Sequence, residues 1–185
     1  AAFVAATENA RLKELTGIGD RAADDGQLDE AEAAYRQVIQ SDPRDLYAIY
    51  RLASLLHSRG SLVDAASICD SGLAVEPGQV ALLHRRASIA TRAADYSKAL
   101  EMYQRIADIA PDFEQLDAKF ADTYSMLGRG VEAMAAFDRA IAKDPDNVRL
   151  QSDRLFVMNY FKLVDRQTLF DEHRRWGTDQ EARLS

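Results

Sequence analysis

The chain has 185 residues, of which 47% are hydrophobic and 29% charged, and its formal net charge is −7. That composition is globular and excludes extended disorder, while the acidic balance argues against non-specific nucleic-acid binding, because phosphates would be repelled. A single cysteine, Cys69, excludes an internal disulfide, and no apolar run reaches the length of a membrane span.

In chain order, residues 1–11 read as the end of a helix belonging to an earlier unit, with no signal peptide visible. A repeat follows. The four prolines, Pro43, Pro77, Pro111 and Pro145, are each 34 residues apart. The same step relates Ala31, Ala65, Ala99 and Ala133, and it relates the small residues Gly19, Ala53, Ala87 and Ala121. It relates the turn residues Gly26, Gly60, Ala94 and Gly128, and the bulkier column Tyr35, Cys69, Tyr103 and Phe137. Small residues let two helices approach closely, glycine can end a helix in the left-handed conformation, and proline cannot extend one.

These columns are similar to those of the tetratricopeptide-repeat (TPR) family. The resemblance implies an all-α, right-handed superhelix with repeats at 12–45, 46–79, 80–113 and 114–147. Each repeat is expected to be a helix, a turn, a second helix and a linker. The consensus tryptophan is missing, with Leu15, Ile49, Leu83 and Asp117 in its place, and Asp117 and Arg86 occupy columns that are usually apolar. Residues 148–177 read as a degenerate fifth repeat that caps the array, its second helix at 165–176, and residues 178–185 as a tail.

The resemblance also implies a concave groove lined by first helices. Its cationic row is Arg51, Arg85 and Lys119, flanked by Tyr47, Tyr50, His84, His57, Thr91 and Arg92. The ninth positions contribute Ser54, Ser88 and Asp122. Arginine forks onto carboxylates and tyrosine offers a flat surface with a polar tip, so the expected partner is a protein or extended peptide carrying acidic residues. Self-association through end helices is a further expectation, and the reduced cysteine usage suggests a cytoplasmic setting. The pattern departs from chaperone-binding repeats, because Thr16 and Asp20, or Tyr50 and Ser54, stand where those carry Lys and Asn. It also lacks an asparagine ladder: the ninth positions run Asp20, Ser54, Ser88, Asp122 and Phe156.

No catalytic residue, metal site or cofactor is expected. His57, His84 and His173 lack a second ligand at metal spacing, and Cys69 fits a small buried hydrophobe. Gly17-Ile18-Gly19 has no preceding strand of the kind a phosphate loop needs, and Asp144-Pro145-Asp146 lies on the proline ladder. The segments from Leu155 to Tyr160 and from Leu169 to Gly177 resemble the junction at which bacterial relatives of O-GlcNAc transferase and SPINDLY pass from repeats to catalytic domain. That resemblance implies a substrate-docking arm of a protein glycosyltransferase. The alternative is a TPR adaptor, scaffold or co-chaperone.

Overall fold

A computed structural model describes the backbone of residues 2–184 and the side chains of residues 7–182. Ten helices and no strand are found among the described residues. They are α1 (Ala2–Asp24), α2 (Leu28–Ser41), α3 (Leu46–Ser58), α4 (Leu62–Val75), α5 (Val80–Arg92), α6 (Tyr96–Ile109), α7 (Leu116–Met126), α8 (Gly130–Lys143), α9 (Val148–Tyr160) and α10 (Arg166–Leu184). The chain divides into two compact units, Ala1–Ile109 and Ala110–Ser185.

The turn inside each helix pair has one construction. The backbone N–H groups of Gln27, Ser61, Asp95, Arg129 and Leu163 each donate to the carbonyl five residues back, at 2.8–3.1 Å. This is the Schellman closure, and it puts the preceding residue in the left-handed region. Gly26, Gly60 and Gly128 hold positive φ there at no steric cost, and Ala94 and Lys162 adopt it at φ 59° and 51°. The fifth turn closes α9 in the same way as the four before it close their helices. Between pairs, Asp42, Glu76 and Asp144 precede prolines and end α2, α4 and α8; all three leave the helical region, as the proline ring favours, and Asp42 and Glu76 are extended. Asp45 and Asn147 then cap α3 and α9 by accepting from Ala48 and Leu150 N–H.

The core follows the small columns. Ala31, Ala65, Ala99 and Ala133 are fully buried, and so are Ala53, Ala87 and Ala121. At Gly19 a methyl group would lie 2.7 Å from the Tyr35 ring, which is why α1 and α2 cross at glycine. Tyr35, Cys69, Tyr103 and Phe137 fill the bulky column, all buried. The two charged intruders are neutralised locally: Arg86 pairs with Asp70 at 2.9 Å, and Asp117 pairs with Arg139 and Lys143, both at 2.7 Å. These cations hold the Asp117 carboxyl below its ordinary range, against the upward push of its burial.

Three boundaries differ from the sequence expectation. No helix ends at residue 11; α1 runs unbroken from Ala2 to Asp24, because nothing in Asn9-Ala10-Arg11-Leu12 breaks a helix. α7 starts at Leu116 rather than at 114, since Gln115 takes the left-handed conformation at φ 60°. α10 continues to Leu184, past the expected end at 176 and through the expected tail, with Gly177 inside it. No described side chain of α10 is fully buried, whereas Leu150, Leu155, Val157 and Met158 of α9 are. Arg154 ties α10 in place, pairing with Glu172 at 3.1 Å and with Asp138 of α8 at 2.6 Å.

Candidate protein-binding face

In the first unit, Tyr47, Tyr50, Arg51, Ser54 and His57 recur at helical spacing on one side of α3, and His84, Arg85, Ser88 and Arg92 on one side of α5. Every one of them is half-buried or exposed. The two helices touch across this face: Arg85 Nη2 donates to Tyr50 Oη at 2.9 Å, with its guanidinium 5.1 Å from the centre of the Tyr50 ring. Arg92 Nη1 donates to the His57 carbonyl. Ser54 and Ser88 donate their hydroxyls to the carbonyls of Tyr50 and His84. The His84 ring lies 6.5 Å from that of Tyr103.

Arg51 and Arg85 differ sharply in their surroundings. Asp20 of α1 accepts from Tyr35 Oη at 2.7 Å and from Tyr47 Oη at 2.9 Å, and it pairs with Arg51 Nε at 3.1 Å. The same Nε also donates to Tyr35 Oη at 3.0 Å. Burial, then Asp20, pushes the Tyr35 phenol up to about 12, and the same causes raise Tyr47. Burial alone would lower Arg51, but its bond to Tyr35 and the nearby negative charge outweigh that and raise it. Arg51, expected as an open cation of the groove, is therefore already occupied by a carboxylate of its own chain.

Arg85 makes no ion pair among the described residues, and its Nε is buried without a hydrogen-bond partner. A cavity of about 370 Å³ lies beside it, lined also by Asp24, Tyr35, Tyr50, Arg51 and Ser54. Partial burial, with Arg85 and Arg92 nearby, lowers the pKa of His57 below its ordinary value. Three basic side chains thus gather on α3 and α5, none of them in an ion pair among the described residues.

In the second unit, Lys119 and Asp122 are half-buried on α7. Burial raises the Asp122 carboxyl although Arg149 and Lys119 oppose it, and Arg149 bridges Asp122 and Asp153 at 3.4 Å each. Beyond them α9 exposes Phe156 and Tyr160, 63% and 67% accessible, with rings stacked 5.6 Å apart. Their i, i+4 spacing was in the sequence, as was the ninth-column position of Phe156, but the aromatic face was not anticipated. In α10, His173 Nδ1 lies 2.9 Å from the Leu169 carbonyl and Arg175 pairs with Glu172, while Phe170 is exposed and Trp176 Nε1 is buried without a hydrogen-bond partner among the described residues.

No group of three or more His, Cys, Asp or Glu side chains is placed to hold a metal among the described residues. The Cys69 thiol is buried and pushed up to about 12, mainly by that burial, which makes it a poor nucleophile. Asp144 closes α8 and accepts from Asn147 Nδ2, and Gly17-Ile18-Gly19 lies inside α1. No helix is long and apolar enough to cross a membrane, among the residues described.

The tetratricopeptide repeat family matches residues 22–87 and 90–152. No curated protein matches by sequence. Among solved structures the chain is similar to one described as a crystal structure of MamA protein, with TM-score 0.83 and 17% identity over 94% of this chain and 93% of that one. It is also similar to MamA 41-end from Desulfovibrio magneticus RS-1, with TM-score 0.81 and 17% identity over 94% and 97% of the two chains. A tetratricopeptide repeat protein from Parabacteroides merdae has TM-score 0.73 and 19% identity over 92% of this chain and 63% of that one. Such identities establish likeness of fold. None of the three is described as a glycosyltransferase, so the docking-arm expectation draws no support from them.

Proposed function

Because the chain belongs to the tetratricopeptide-repeat family, we propose that this protein-interaction module is an adaptor or scaffold that holds an extended, acidic segment of another protein against α3 and α5. One observation carries the reading. Arg85 sits on the Tyr50 ring beside a cavity, with no carboxylate of its own chain on its guanidinium. An arginine so placed matches a carboxylate by charge and by the geometry of its fork. Tyr47, half exposed, and His84 offer flat sides to an extended chain, and Arg92 adds charge that speeds capture. The glycosyltransferase-linked reading rests on the 155–177 resemblance alone, and Glu172, His173 and Arg175 of that segment have structural partners of their own.

The test uses a fluorescein-labelled dodecapeptide alternating Glu and Gly, beside a Lys–Gly peptide of the same length. Fluorescence anisotropy should show binding of the Glu peptide that weakens with salt. Arg85→Glu should reduce it about tenfold or more, whereas Arg36→Glu on α2 should change it less than about twofold. Equal binding of the Lys peptide, or a larger loss from Arg36→Glu, would show that this face is not the docking surface.

A further inference from the structure

The repeat step allows the occupied arginine to be compared, atom by atom, with the open one. Thirty-four residues after Asp20, Tyr35, Tyr47 and Arg51 stand Ser54, Cys69, Ala81 and Arg85. In the first set, Arg51 Nε meets both a carboxylate and a phenol. In the second set the carboxylate has become a serine hydroxyl that turns back to its own helix, and both phenols are gone. The corresponding atom, Arg85 Nε, has no partner, and the cavity opens at Ser54. A buried donor left without an acceptor costs free energy, so a ligand that supplies one gains it.

We infer that Asp20 is an internal occupant, which closes the Arg51 position to partners, and that a carboxylate of the bound segment takes the equivalent place beside Ser54 and Arg85. The chemical class follows from the template: what fills the Arg51 position is an aspartate. Arg85 Nε is covered in the unbound chain, so its guanidinium turns from the Tyr50 hydroxyl to receive the incoming oxygen in the cavity that Asp24 also lines. This inference rests on the reading that the α3–α5 face binds acidic segments, and it adds which residue decides where the first unit is open.

Two exchanges between the columns test it with the same Glu–Gly dodecapeptide. Ser54→Asp copies the Asp20 arrangement one repeat on and should weaken binding about tenfold or more. Ser54→Asn, similar in shape but neutral, should weaken binding less than Ser54→Asp does, and Gln104→Asp, the same charge on the exposed side of α6, should lose no more than about threefold. Asp20→Ser should strengthen binding several-fold, because it opens Arg51. The ¹⁵N resonance of Arg85 Nε should move on peptide addition in the parent, and in Ser54→Asp it should move without peptide; circular dichroism verifies the fold of each variant. If Arg85→Glu abolishes binding while folded Ser54→Asp binds like the parent, or if Gln104→Asp costs as much as Ser54→Asp, the inference fails and the docking face stands. If the parent binds no Glu peptide, or binds it independently of Arg85, both fail.

Discussion

In residues 1–109 the ninth column of the repeats carries Asp20 and then Ser54 and Ser88; in residues 110–185 it carries Asp122 and then Phe156. The sixth column changes with it, from Arg51 and Arg85 to Lys119 and Asp153. The first unit thus spends one acid on one arginine and leaves the next arginine without one. The second unit shares Arg149 between two acids and ends in an exposed aromatic pair. Beneath both faces the alanine and aromatic columns are buried alike. The lesson is that core and face are separate layers of the repeat, and that each unit's face is determined by a few residues which its packing does not constrain.

The largest expected effect tests whether the core layer really is shared. Ala99→Leu in the first unit and Ala133→Leu in the second should each cost about 1–3 kcal/mol through overpacking. Urea denaturation measures both. A loss at one site and none at the other would break the equivalence of the columns. A smaller effect separates the second unit from the first. Arg154→Ala removes the cation shared by Asp138 and Glu172 and should cost about 1–2 kcal/mol, loosening α10 while Tyr35 and Tyr47 keep their bonds to Asp20. Hydrogen exchange should show faster opening of α10 and unchanged protection of α1–α3; uniform loosening would contradict the picture.

The smallest effects are titrations of opposite sign. His57 is lowered, so its neutral form is favoured in the folded chain. Its contribution to stability is full above the unfolded value near 6.5 and is lost as the pH falls through the lower, folded value. Asp122 is raised, so its protonated form is favoured; stability falls as the pH rises from the unfolded value near 3.8 through the folded one. Side-chain NMR should place the His57 midpoint below 6.5 and the Asp122 midpoint above 3.8. Bound Glu peptide should move His57 upward by bringing negative charge to it. A His57 midpoint unaffected by peptide would separate it from the docking face.

Much of the architecture was legible because its signals are local and periodic. Proline sets the residue before it extended, and glycine accepts the left-handed turn, so Pro43, Pro77 and Pro145 marked where α2, α4 and α8 end. The delayed start of α7 was not legible, since Glu114-Gln115 carries no turn signature and the left-handed Gln115 is a tertiary outcome. Nor was the division after Ile109. For the face, the sixth column placed Arg51 and Arg85 on α3 and α5 but said nothing of their surroundings. Arg51 and Arg85 look identical in sequence, and the difference is made by Asp20, on another helix and 31 residues before Arg51. One signal was available: a ninth-column acid ahead of a sixth-column cation. In sequence Asp20 stands out as a departure from the chaperone-binding and asparagine-ladder patterns, not as a partner of Arg51.

The Schellman turns have a consequence for how such a chain can change over time. Their hydrogen bonds are all backbone to backbone, and they return after every first helix whatever side chains the face above them carries. The scaffold therefore holds its register while a single substitution at Asp20 or Ser54 opens or shuts a position for a partner. A molecule built this way can drift between partners through folded intermediates, one address at a time, without first having to lose its structure.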